Sequence, residues 1–590
     1  MTTLRFKISL FTLLLSLNIG QAAPKAHPDY EPAPIQALAT TNLLVGTKIS
    51  IKGQTLESGA LRAPAMAASL SGGIVSIDVR CSRTGEVASL PASEGIRLVG
   101  WRGERVNAQV VTRAAILQRQ LRVDRVILEG DTDKASTIVG ETHFVRYVLA
   151  DDKPTADILD TESPVEQPAG YNRPVWLSVD IPRDAQSGQY SGRLTVRSEI
   201  GLVEFPVRLE VLAATLPEPK DWVFHLDIWQ HPQAVARWHD VKPWSPEHFA
   251  LMKPLMKRLA DAGQKNITCS IIHEPWGGQT FDAWPSMVEW RKMTDGSWSF
   301  DYTVFDHWVD FMMNEIGITG QIVCYTMVPW SLQFRYYDEA SRKYVDLKAV
   351  PGSAIYDEIW GRFLKDFTAH LAAKGWLGKT AIGMDERPDK LMRPALETLH
   401  KYAPDLRVVS AINEPSALTE DLYEISPLIR VGLSPKLLAE RKRAGKITTF
   451  YVCCSPSRPN TFTGSPLAES AWLPLRAVAS GYDGFLRWAY NSWVENPLRS
   501  TDYVTWPSGD CFLVYPGNRS SLRWERLRDG IEEAEKIRIL RATGNLDTNR
   551  KLDEVLKPLS ERFTPGSIYE PDLDKVVKAV EDLSRQIKSK

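Results

Sequence analysis

Short runs of alternating apolar and polar residues fill the chain from about residue 24 to residue 215. Clear examples are 97–101, 175–181 and 203–212. Alternation with a period of two predicts half-buried β-strands separated by short turns. We therefore predict one or two β-sandwich units over residues 24–215. The proline-bearing segment 215–220 is a good boundary for this domain.

After residue 222 the rhythm changes, because apolar runs now alternate with longer amphipathic stretches. Eight such runs predict strands, at 224–230, 266–272, 321–328, 381–384, 407–412, 429–433, 447–453 and 484–490. Ser245 followed by Pro246 is a typical helix start between the first two runs.

Strands that alternate with helices indicate a parallel sheet, and eight units over roughly 300 residues predict a (β/α)8 barrel at 222–540. An open doubly wound sheet is the alternative, but no glycine-rich phosphate loop supports it. The fold class is therefore α/β plus all-β. Residues 541–590 are charged and amphipathic, which predicts a C-terminal helical appendage.

The first 23 residues have the pattern of a secretory signal peptide. Arg5 and Lys7 precede an apolar run at 8–19, and small residues follow at 20–23. The run is too short to span a bilayer. We expect the mature protein to be exported, to the periplasm or outside the cell, without a membrane span.

Composition excludes several classes of partner. Lys+Arg 71 against Asp+Glu 72 gives a formal charge of -1, which argues against nucleic acid or an anionic membrane surface. Six cysteines in 590 residues do not make a disulfide scaffold, so free thiols are expected. A vicinal disulfide between Cys453 and Cys454 is the alternative. No CxxC or HExxH spacing occurs, so we expect neither a metal nor another cofactor.

The ends of the predicted barrel strands carry many aromatic and polar residues. Active sites of this fold lie on the loops that follow the strands, and indole rings suit the flat apolar faces of sugars. The alternative is that the tryptophans fill cores and the histidines are structural. The candidate substrate-binding residues are Trp229, Gln230, His231, His273, Trp276, Tyr325, Trp330, Asn413, Arg487, Trp488, Tyr490, Asn491 and Trp493.

One dipeptide, Asp385-Glu386, stands at the end of the fourth predicted strand. Two carboxylates at the tip of a buried strand are costly to desolvate. Proteins keep such groups where they are satisfied or used, which favours acid–base or substrate-stabilising chemistry. An acidic surface turn is the alternative. Neighbours on a strand point to opposite faces, so both acids reach one substrate only if the chain bends here. Arg387 and Pro388 favour such a bend.

The segment 483–493 resembles the signature of glycoside hydrolase family 123. Segments 226–232, 507–516 and 523–530 and the acidic pair extend the similarity. The resemblance implies an exo-acting, retaining β-N-acetylgalactosaminidase that releases terminal β-GalNAc from glycans such as those of glycosphingolipids. It also implies a substrate-assisted mechanism, in which the 2-acetamido oxygen attacks the anomeric carbon and forms an oxazoline-type intermediate.

The same resemblance implies separate roles for the two acids. Glu386 would be the general acid, protonated near neutral pH, and afterwards the base toward water. Asp385 would orient the acetamido N–H and stabilise its developing positive charge. Whether the preferred sugar is GalNAc or GlcNAc turns on one hydroxyl, so another β-hexosaminidase stays open.

Two other hypotheses remain open at this point. Asn413-Glu414-Pro415 resembles the acid/base tripeptide of ordinary retaining glycosidases, which need a second carboxylate about 5 Å away as nucleophile. The tip of the seventh predicted strand carries no carboxylate to serve in that role. The second hypothesis is a non-catalytic glycan-binding protein, which would explain the aromatic residues but not the acidic pair.

Overall fold

The computed structural model describes residues 49–51, 54–56, 70–561 and 570–587. The predicted signal peptide at 1–23 lies outside these residues, as does most of the chain before residue 70. No helix in the described part of the chain is long and apolar enough to cross a bilayer.

The N-terminal region is a β domain, and its side chains alternate as the sequence predicts. Phe205, Val207, Leu209 and Val211 are buried at every second position of one long strand. Its strands are Leu70–Val75, Leu90–Pro91, Ile96–Arg102, Arg105–Ala114, Gln118–Val123, Val126–Gly130, Thr137–Ala150, Lys153–Leu159, Val165–Gln167, Asn172–Asp180, Gly188–Arg197 and Leu202–Thr215.

These strands belong to one connected hydrogen-bonded network, a 13-stranded sheet that also includes Ser520–Ser521. Only the pairing of Leu202–Thr215 with Ile96–Arg102 is parallel among its ladders. Since the pairing alone does not divide the network into two facing sheets, the β-sandwich stays a prediction. A separate two-stranded hairpin pairs Ile49–Ile51 with Gln54–Leu56.

The second region is an eight-stranded parallel sheet that curls into a nearly closed barrel. Strand 8 pairs with strand 1 at one side, and strand 2 pairs with strand 3 at the other. The barrel architecture predicted for this region is therefore present as a nearly closed sheet of eight strands. Barrel strands 1 to 8 are His225–Ile228, Asn266–Ser270, Gln321–Tyr325, Thr380–Met384, Arg407–Ile412, Glu424–Pro427, Ile447–Tyr451 and Gly484–Arg487.

The position of the sixth strand was wrong in the sequence analysis. Residues 429–433 form a turn and loop, and the strand is Glu424–Pro427. A run that contains an acid and ends in proline does not look like a central strand. Here Glu424 is buried, and its carboxylate lies 3.2 Å from His225 Nε2 and accepts from Gln321 Nε2 at 3.0 Å. These partners make the burial of the acid tolerable.

Side-chain amides bridge the junction between barrel strands 1 and 2. Gln264 Oε1 accepts from Ile228 N at 2.9 Å, and Gln230 Oε1 accepts from Thr268 N at 2.9 Å. Only one isolated backbone bridge, Leu226 with Gln264, joins the strands here. The amides therefore satisfy backbone groups that a full ladder would otherwise pair.

Helices connect the barrel strands, and the second of them begins at its predicted signal. Ser245 Oγ accepts from His248 N at 3.2 Å, and Pro246 occupies the first helical position. The helices are Pro232–His239, Pro246–Ala260, Thr303–Asp310 with its wider continuation Phe311–Ile316, Ala354–Lys374, Asp389–Tyr402, Ala417–Glu420, Pro435–Arg443, Leu467–Ser480, Leu522–Ala542, Leu546–Glu561 and Glu570–Ser584, with short 3-10 turns at Ala92–Glu94, Pro219–Asp221 and Leu377–Lys379.

A small four-stranded sheet is inserted into the connections after barrel strands 2 and 3. Its Trp290 ring stacks on Phe363 of helix Ala354–Lys374, with centroids 4.4 Å apart. This sheet was not predicted from the sequence. Its strands are Glu289–Lys292, Trp298–Asp301, Gln333–Asp338 and Lys343–Lys348.

The β domain and the barrel region are joined by backbone hydrogen bonds. Ile158 and Leu159 pair with Ser521 and Ser520 in an antiparallel ladder. The β domain also holds the loop that follows barrel strand 8, because Thr501 N donates to Leu149 O at 2.9 Å. The two regions therefore share hydrogen bonds beyond the covalent connection.

Candidate active site

A pocket of about 640 Å³ opens at the carboxyl ends of the barrel strands. This is the end where the fold is expected to carry its active site. Its lining combines indoles, acids and small side chains. The lining residues are Trp229, Trp276, Gln279, Trp330, Asp385, Glu386, Ala411, Tyr451, Cys453, Cys454, Leu486, Trp488, Trp506 and Asp510.

The acidic pair lies directly after barrel strand 4, which ends at Met384. The chain bends at Glu386, and a helix begins at Asp389. The bend that Arg387 and Pro388 predict is thus present. As a result both carboxylic acids line the same pocket, although they are neighbours in the chain.

The two carboxylate oxygens of Glu386 are held by side chains from two other strands. The Tyr451 hydroxyl, at the end of barrel strand 7, donates to Oε1. Asn413 Nδ2, just after barrel strand 5, donates to Oε2 at 2.9 Å. Burial and the charge of Glu386 raise the pKa of Tyr451, so this hydroxyl keeps its proton. Glu386 is therefore fixed in position by neutral donors.

Asp385 has a different environment. Trp330 Nε1 donates to Oδ2 at 2.8 Å, and Glu386 N donates to Oδ1 at 3.0 Å. Burial and, after it, the charge of Glu386 raise the pKa of Asp385, while the hydrogen bonds from Trp330 and Glu386 N and the charge of Arg387 oppose the shift, and the resulting pKa is about 6. Arg387 also lies over the Trp330 ring, 4.6 Å from its centroid. Asp385 is therefore ionised at neutral pH but close to its titration range.

Aromatic rings form the floor of the pocket beside the acids. Trp229 and Trp276 lie 4.9 Å apart between ring centroids, and Tyr325 lies 4.7 Å and 5.0 Å from them. The Tyr325 ring occupies space that a side chain at residue 383 would need, since a Cβ added to Gly383 would lie 2.7 Å from it. The glycine in barrel strand 4 thus leaves room for the Tyr325 ring.

The structure brings part of the predicted substrate-binding set to the pocket. Trp229, Trp276, Trp330 and Trp488 line it directly. Asn413 reaches it through its hydrogen bond to Glu386. Tyr325 packs behind the two floor indoles, and it is fully buried.

Other predicted binding residues are engaged elsewhere and do not line the pocket. His231 is buried, with Nδ1 near Ser492 Oγ at 3.1 Å and Nε2 near Ala283 O at 3.0 Å, and burial lowers its pKa to about 3. Asn491 Nδ2 donates to His231 O at 2.9 Å. The amide of Gln230 closes the barrel between strands 1 and 2. These residues stabilise the strand ends rather than face a ligand.

Four more of these residues support the pocket from behind or lie beyond it. Arg487 is buried and ion-paired with Asp510. Tyr490 donates to Leu255 O at 2.9 Å, and Trp493 Nε1 donates to Val514 O at 2.7 Å. His273 Nε2 lies 2.7 Å from Arg335 Nη1, next to the inserted sheet. The positions at the strand ends thus predicted where the pocket lies, but they did not distinguish the residues that line the pocket from those that pack behind it.

Several lining residues were missed by the sequence analysis. Tyr451 follows the strand-tip rule and could have been found by it. Gln279 and Trp506 lie on long loops where no local pattern marks them, whereas Asp510 lies in segment 507–516, which carries part of the family resemblance and could have pointed to it. Cys453 and Cys454 carry free thiols with sulfurs 3.8 Å apart, so the structure has no vicinal disulfide.

Glu414, the acid of the alternative mechanism, is exposed and does not line the pocket. Among the described residues there is also no group of three or more His, Cys, Asp or Glu that could hold a metal ion.

A barrel with neighbouring carboxylic acids and several indoles in a pocket at its strand ends is typical of glycoside hydrolases. The comparisons agree with this class. The family model of the glycoside hydrolase 123 catalytic domain matches residues 229–540, and that of the N-terminal domain of the same family matches residues 74–198. Since the catalytic model covers more than half of the chain, the protein belongs to glycoside hydrolase family 123.

Solved structures support the same fold. The chain is similar to a family 123 glycoside hydrolase from Clostridium perfringens described for glycolipid glycan hydrolysis, with a TM-score of 0.78, 24% identity, and coverage of 87% of this chain and 97% of that chain. No curated protein sequence matches this chain.

Two further similarities are too weak to carry an argument. Parabacteroides merdae β-glucuronidase has a TM-score of 0.27 and 11% identity, over 79% of this chain and 52% of that chain. A GH20 exo-β-N-acetylglucosaminidase from Vibrio harveyi has a TM-score of 0.20 and 7% identity, over 66% of this chain and 82% of that chain.

Proposed function

We propose that the protein is an exo-acting, retaining β-N-acetylgalactosaminidase that releases terminal β-GalNAc from glycans by substrate-assisted catalysis. The observation that carries the proposal is that Asp385 and Glu386 line one pocket but have different partners. Neighbouring acids in unlike surroundings can take unlike roles in one reaction. The Clostridium perfringens relative, described for glycolipid glycan hydrolysis, supports glycolipid glycans as substrates.

Glu386 is the general acid in this proposal. Its proton passes to the glycosidic oxygen as the bond to the anomeric carbon breaks, and the carboxylate then removes a proton from the incoming water. Tyr451 and Asn413 hold the carboxyl group, so its direction is set before the substrate arrives. Such pre-positioning lowers the reorganisation needed in the transition state.

Asp385 is the group that acts on the substrate's amide. Its carboxylate accepts from the acetamido N–H and stabilises the positive charge that grows on the amide as its oxygen bonds to the anomeric carbon. With a pKa of about 6 it is mostly ionised at neutral pH. The electron pair therefore comes from the substrate's own amide oxygen, and the product keeps the anomeric configuration after two displacements.

The indoles give the sugar its binding surface. Trp229, Trp276 and Trp488 line the pocket beside the acids, and flat C–H faces of a pyranose pack well on such rings. An exo-acting enzyme needs a pocket that accepts one terminal sugar, and the acids and indoles here line one pocket that opens to solvent.

Two substitutions test the assignment of the acids. Glu386→Gln removes the proton donor, and Asp385→Asn removes the charge that faces the amide. On an aryl β-GalNAc glycoside we expect each to lower kcat by about 100-fold or more, the usual size of a lost acid–base or charge-stabilising group. Glu414→Gln is the matched control, because this acid is exposed and outside the pocket. Wild-type turnover in either pair variant would remove the assignment.

The choice of sugar and the role of the amide have their own test. Turnover of nitrophenyl β-GalNAc should exceed that of nitrophenyl β-GlcNAc, and a GalNAc-thiazoline, which mimics the oxazoline, should inhibit strongly. Preference for β-GlcNAc would make the enzyme a different β-hexosaminidase. Binding of these sugars without any turnover would favour a glycan-binding protein instead.

We also propose that the protein is exported and that its β domain is a sandwich. The charged and apolar pattern of the first 23 residues supports export. One large cluster of buried side chains from many strands of the β domain supports a sandwich core. N-terminal sequencing of protein from the culture fluid or periplasm should show cleavage after Ala22 or Ala23, and an uncleaved chain in the cytosol would contradict export.

A further inference from the structure

Asp510 is a buried acid in the pocket wall that the proposed mechanism does not use. It lies on the long loop after barrel strand 8, and the whole residue is 1% exposed. It nevertheless lines the pocket that holds Asp385 and Glu386. A carboxylate in such a place is costly unless its oxygens find partners.

One of its two oxygens is fully engaged. Arg487 Nη2 donates to Asp510 Oδ1 at 2.7 Å, and Trp488 Nε1 donates to the same atom at 3.2 Å. Arg487 Nη2 also donates to the backbone oxygen of Asp510 at 3.0 Å. The carboxylate is thereby fixed, and its charge is compensated by the guanidinium.

Arg487 is in turn held rigidly. Its Nε donates to Thr461 Oγ1 at 2.9 Å, and its Nη1 donates to Val452 O at 3.1 Å. The arginine is fully buried at the end of barrel strand 8. Asp510 therefore cannot turn its free oxygen toward another donor without breaking this set of bonds.

The other oxygen, Oδ2, is buried and has no hydrogen-bond partner in the described structure. Buried polar atoms of proteins are rarely left in this state, and each exception calls for an explanation such as a functional role or a bound water or ion. A carboxylate oxygen can only accept a hydrogen bond. The missing partner must therefore be a donor.

We propose that Asp510 Oδ2 accepts a hydrogen bond from one ring hydroxyl of the terminal sugar, at C3, C4 or C6, and so determines which sugars bind. This inference rests on the proposed function, since it deepens the substrate recognition of the same pocket. The amide N–H of the sugar is assigned to Asp385, which leaves the hydroxyls as donors. Because Arg487 compensates its charge, Asp510 positions substrate and does not transfer protons.

Asp510→Asn, tested with a deoxy-sugar series, measures this contact directly. Asparagine can keep an oxygen toward Arg487 and Trp488 but presents an NH₂ group, a donor, where Oδ2 lies. We expect kcat/KM on the parent aryl glycoside to fall by about 100-fold or more, as when a site built for a hydroxyl loses its partner. The wild type should lose a similar factor on only one of the 3-, 4- and 6-deoxy glycosides.

Testing Asp510→Asn on the deoxy glycosides distinguishes a contact with the substrate from a purely structural role of Asp510. If the hydroxyl and Oδ2 contact each other, Asp510→Asn should cost little on the critical deoxy glycoside, because the contact is already absent. Equal losses on the parent and all three deoxy glycosides would show that Asp510 serves only as the counter-ion of Arg487, and would overturn the proposal. Unchanged kcat/KM in the variant would overturn it as well.

Asp282→Asn is the matched control. Asp282 also pairs with an arginine, accepting from Arg237 Nε at 2.8 Å, but it does not line the pocket. The factor by which Asp282→Asn lowers kcat/KM should be the same on the parent and on the deoxy glycosides. If Asp510→Asn does not fold, the deoxy series with the wild type still tests the inference. The inference is overturned if the wild type shows no selective loss of kcat/KM on any of the three deoxy glycosides.

The same design separates failure here from failure of the proposed function. The parent glycoside is whichever aryl β-N-acetylhexosaminide the wild type cleaves, so a preference for GlcNAc alters the proposed function but leaves this test intact. If neither is cleaved, the proposed function fails. Calorimetry then measures the affinity of the protein for the free N-acetylhexosamines and their deoxy forms, which tests the Asp510 contact without turnover. Equal affinities for all forms would overturn the inference.

Discussion

At the scale of residues, the main feature of this pocket is that adjacent carboxylic acids have separate partners. Asp385 accepts from an indole N–H, and Glu386 accepts from a phenol and an amide. The sequence predicts the pair, its place after a buried strand and the bend that follows. It does not predict these partners, because Trp330 and Tyr451 are 55 and 65 residues away along the chain.

The pH dependence of activity should report Asp385. Its pKa is about 6, raised mainly by burial and then by Glu386. Only the ionised carboxylate stabilises positive charge on the acetamido group, so kcat/KM should fall as the pH drops through about 6. Trp330→Phe removes a hydrogen bond that stabilises the ionised form. The acidic limb of the kcat/KM profile should therefore move to higher pH.

Trp506→Phe is the matched control for this shift. Trp506 also lines the pocket, but its Nε1 donates to Gln279 O at 2.9 Å and not to an acid. This variant should change the height of the pH profile and leave its acidic limb in place. An unmoved limb in Trp330→Phe, or a limb moved to lower pH, would contradict the role given to Asp385.

At the scale of elements, most of the barrel could be predicted because its strands are short apolar runs between amphipathic helices. The sixth strand could not, since Glu424 and Pro427 oppose a strand assignment by local rules. What makes Glu424 acceptable is its contact with His225 and Gln321 from other strands. The inserted four-stranded sheet was missed for a related reason, because its pairing joins segments from two separate connections.

Barrel strand 4 offers a test of how tightly the catalytic tip is packed. A methyl group at residue 383 would meet the Tyr325 ring at 2.7 Å, closer than real Cβ contacts allow. Gly383→Ala should therefore lower the free energy of unfolding by about 1–3 kcal/mol through overpacking. Gly378→Ala, where no atom lies within 4 Å, should be neutral or slightly stabilising. Urea unfolding followed by tryptophan fluorescence measures both, and equal stabilities would refute the packing argument.

At the scale of the whole molecule, the β domain and the barrel region share a buried ionic junction. Asp157 of the β domain accepts from Arg523 Nε at 3.0 Å, and both side chains are fully buried. Tyr515 and Arg80 also donate to this carboxylate, at 2.7 Å and 3.1 Å. Composition and periodicity locate the two regions along the chain but give no sign of this junction, because its members are far apart in sequence.

Removing the shared acid should destabilise the protein strongly. Asp157→Ala leaves Arg523 buried without its carboxylate, which typically costs about 3–5 kcal/mol. Glu204→Ala breaks an exposed pair with Arg193 in the same β domain, and should cost at most about 1 kcal/mol. Chemical denaturation of both variants tests the contrast. Similar midpoints for Asp157→Ala and the wild type would show that the junction contributes little.

The central claim is that the substrate's own amide oxygen attacks the anomeric carbon beside Asp385 and Glu386. The most direct measurement is kcat/KM on aryl glycosides whose N-acetyl group carries zero, one, two or three fluorines. Fluorine withdraws electrons from the amide oxygen and weakens it as a nucleophile, so the account predicts a steep fall, on the order of 100-fold or more across the series. A flat series would contradict it, because an attacking group supplied by the protein would not be weakened by these fluorines.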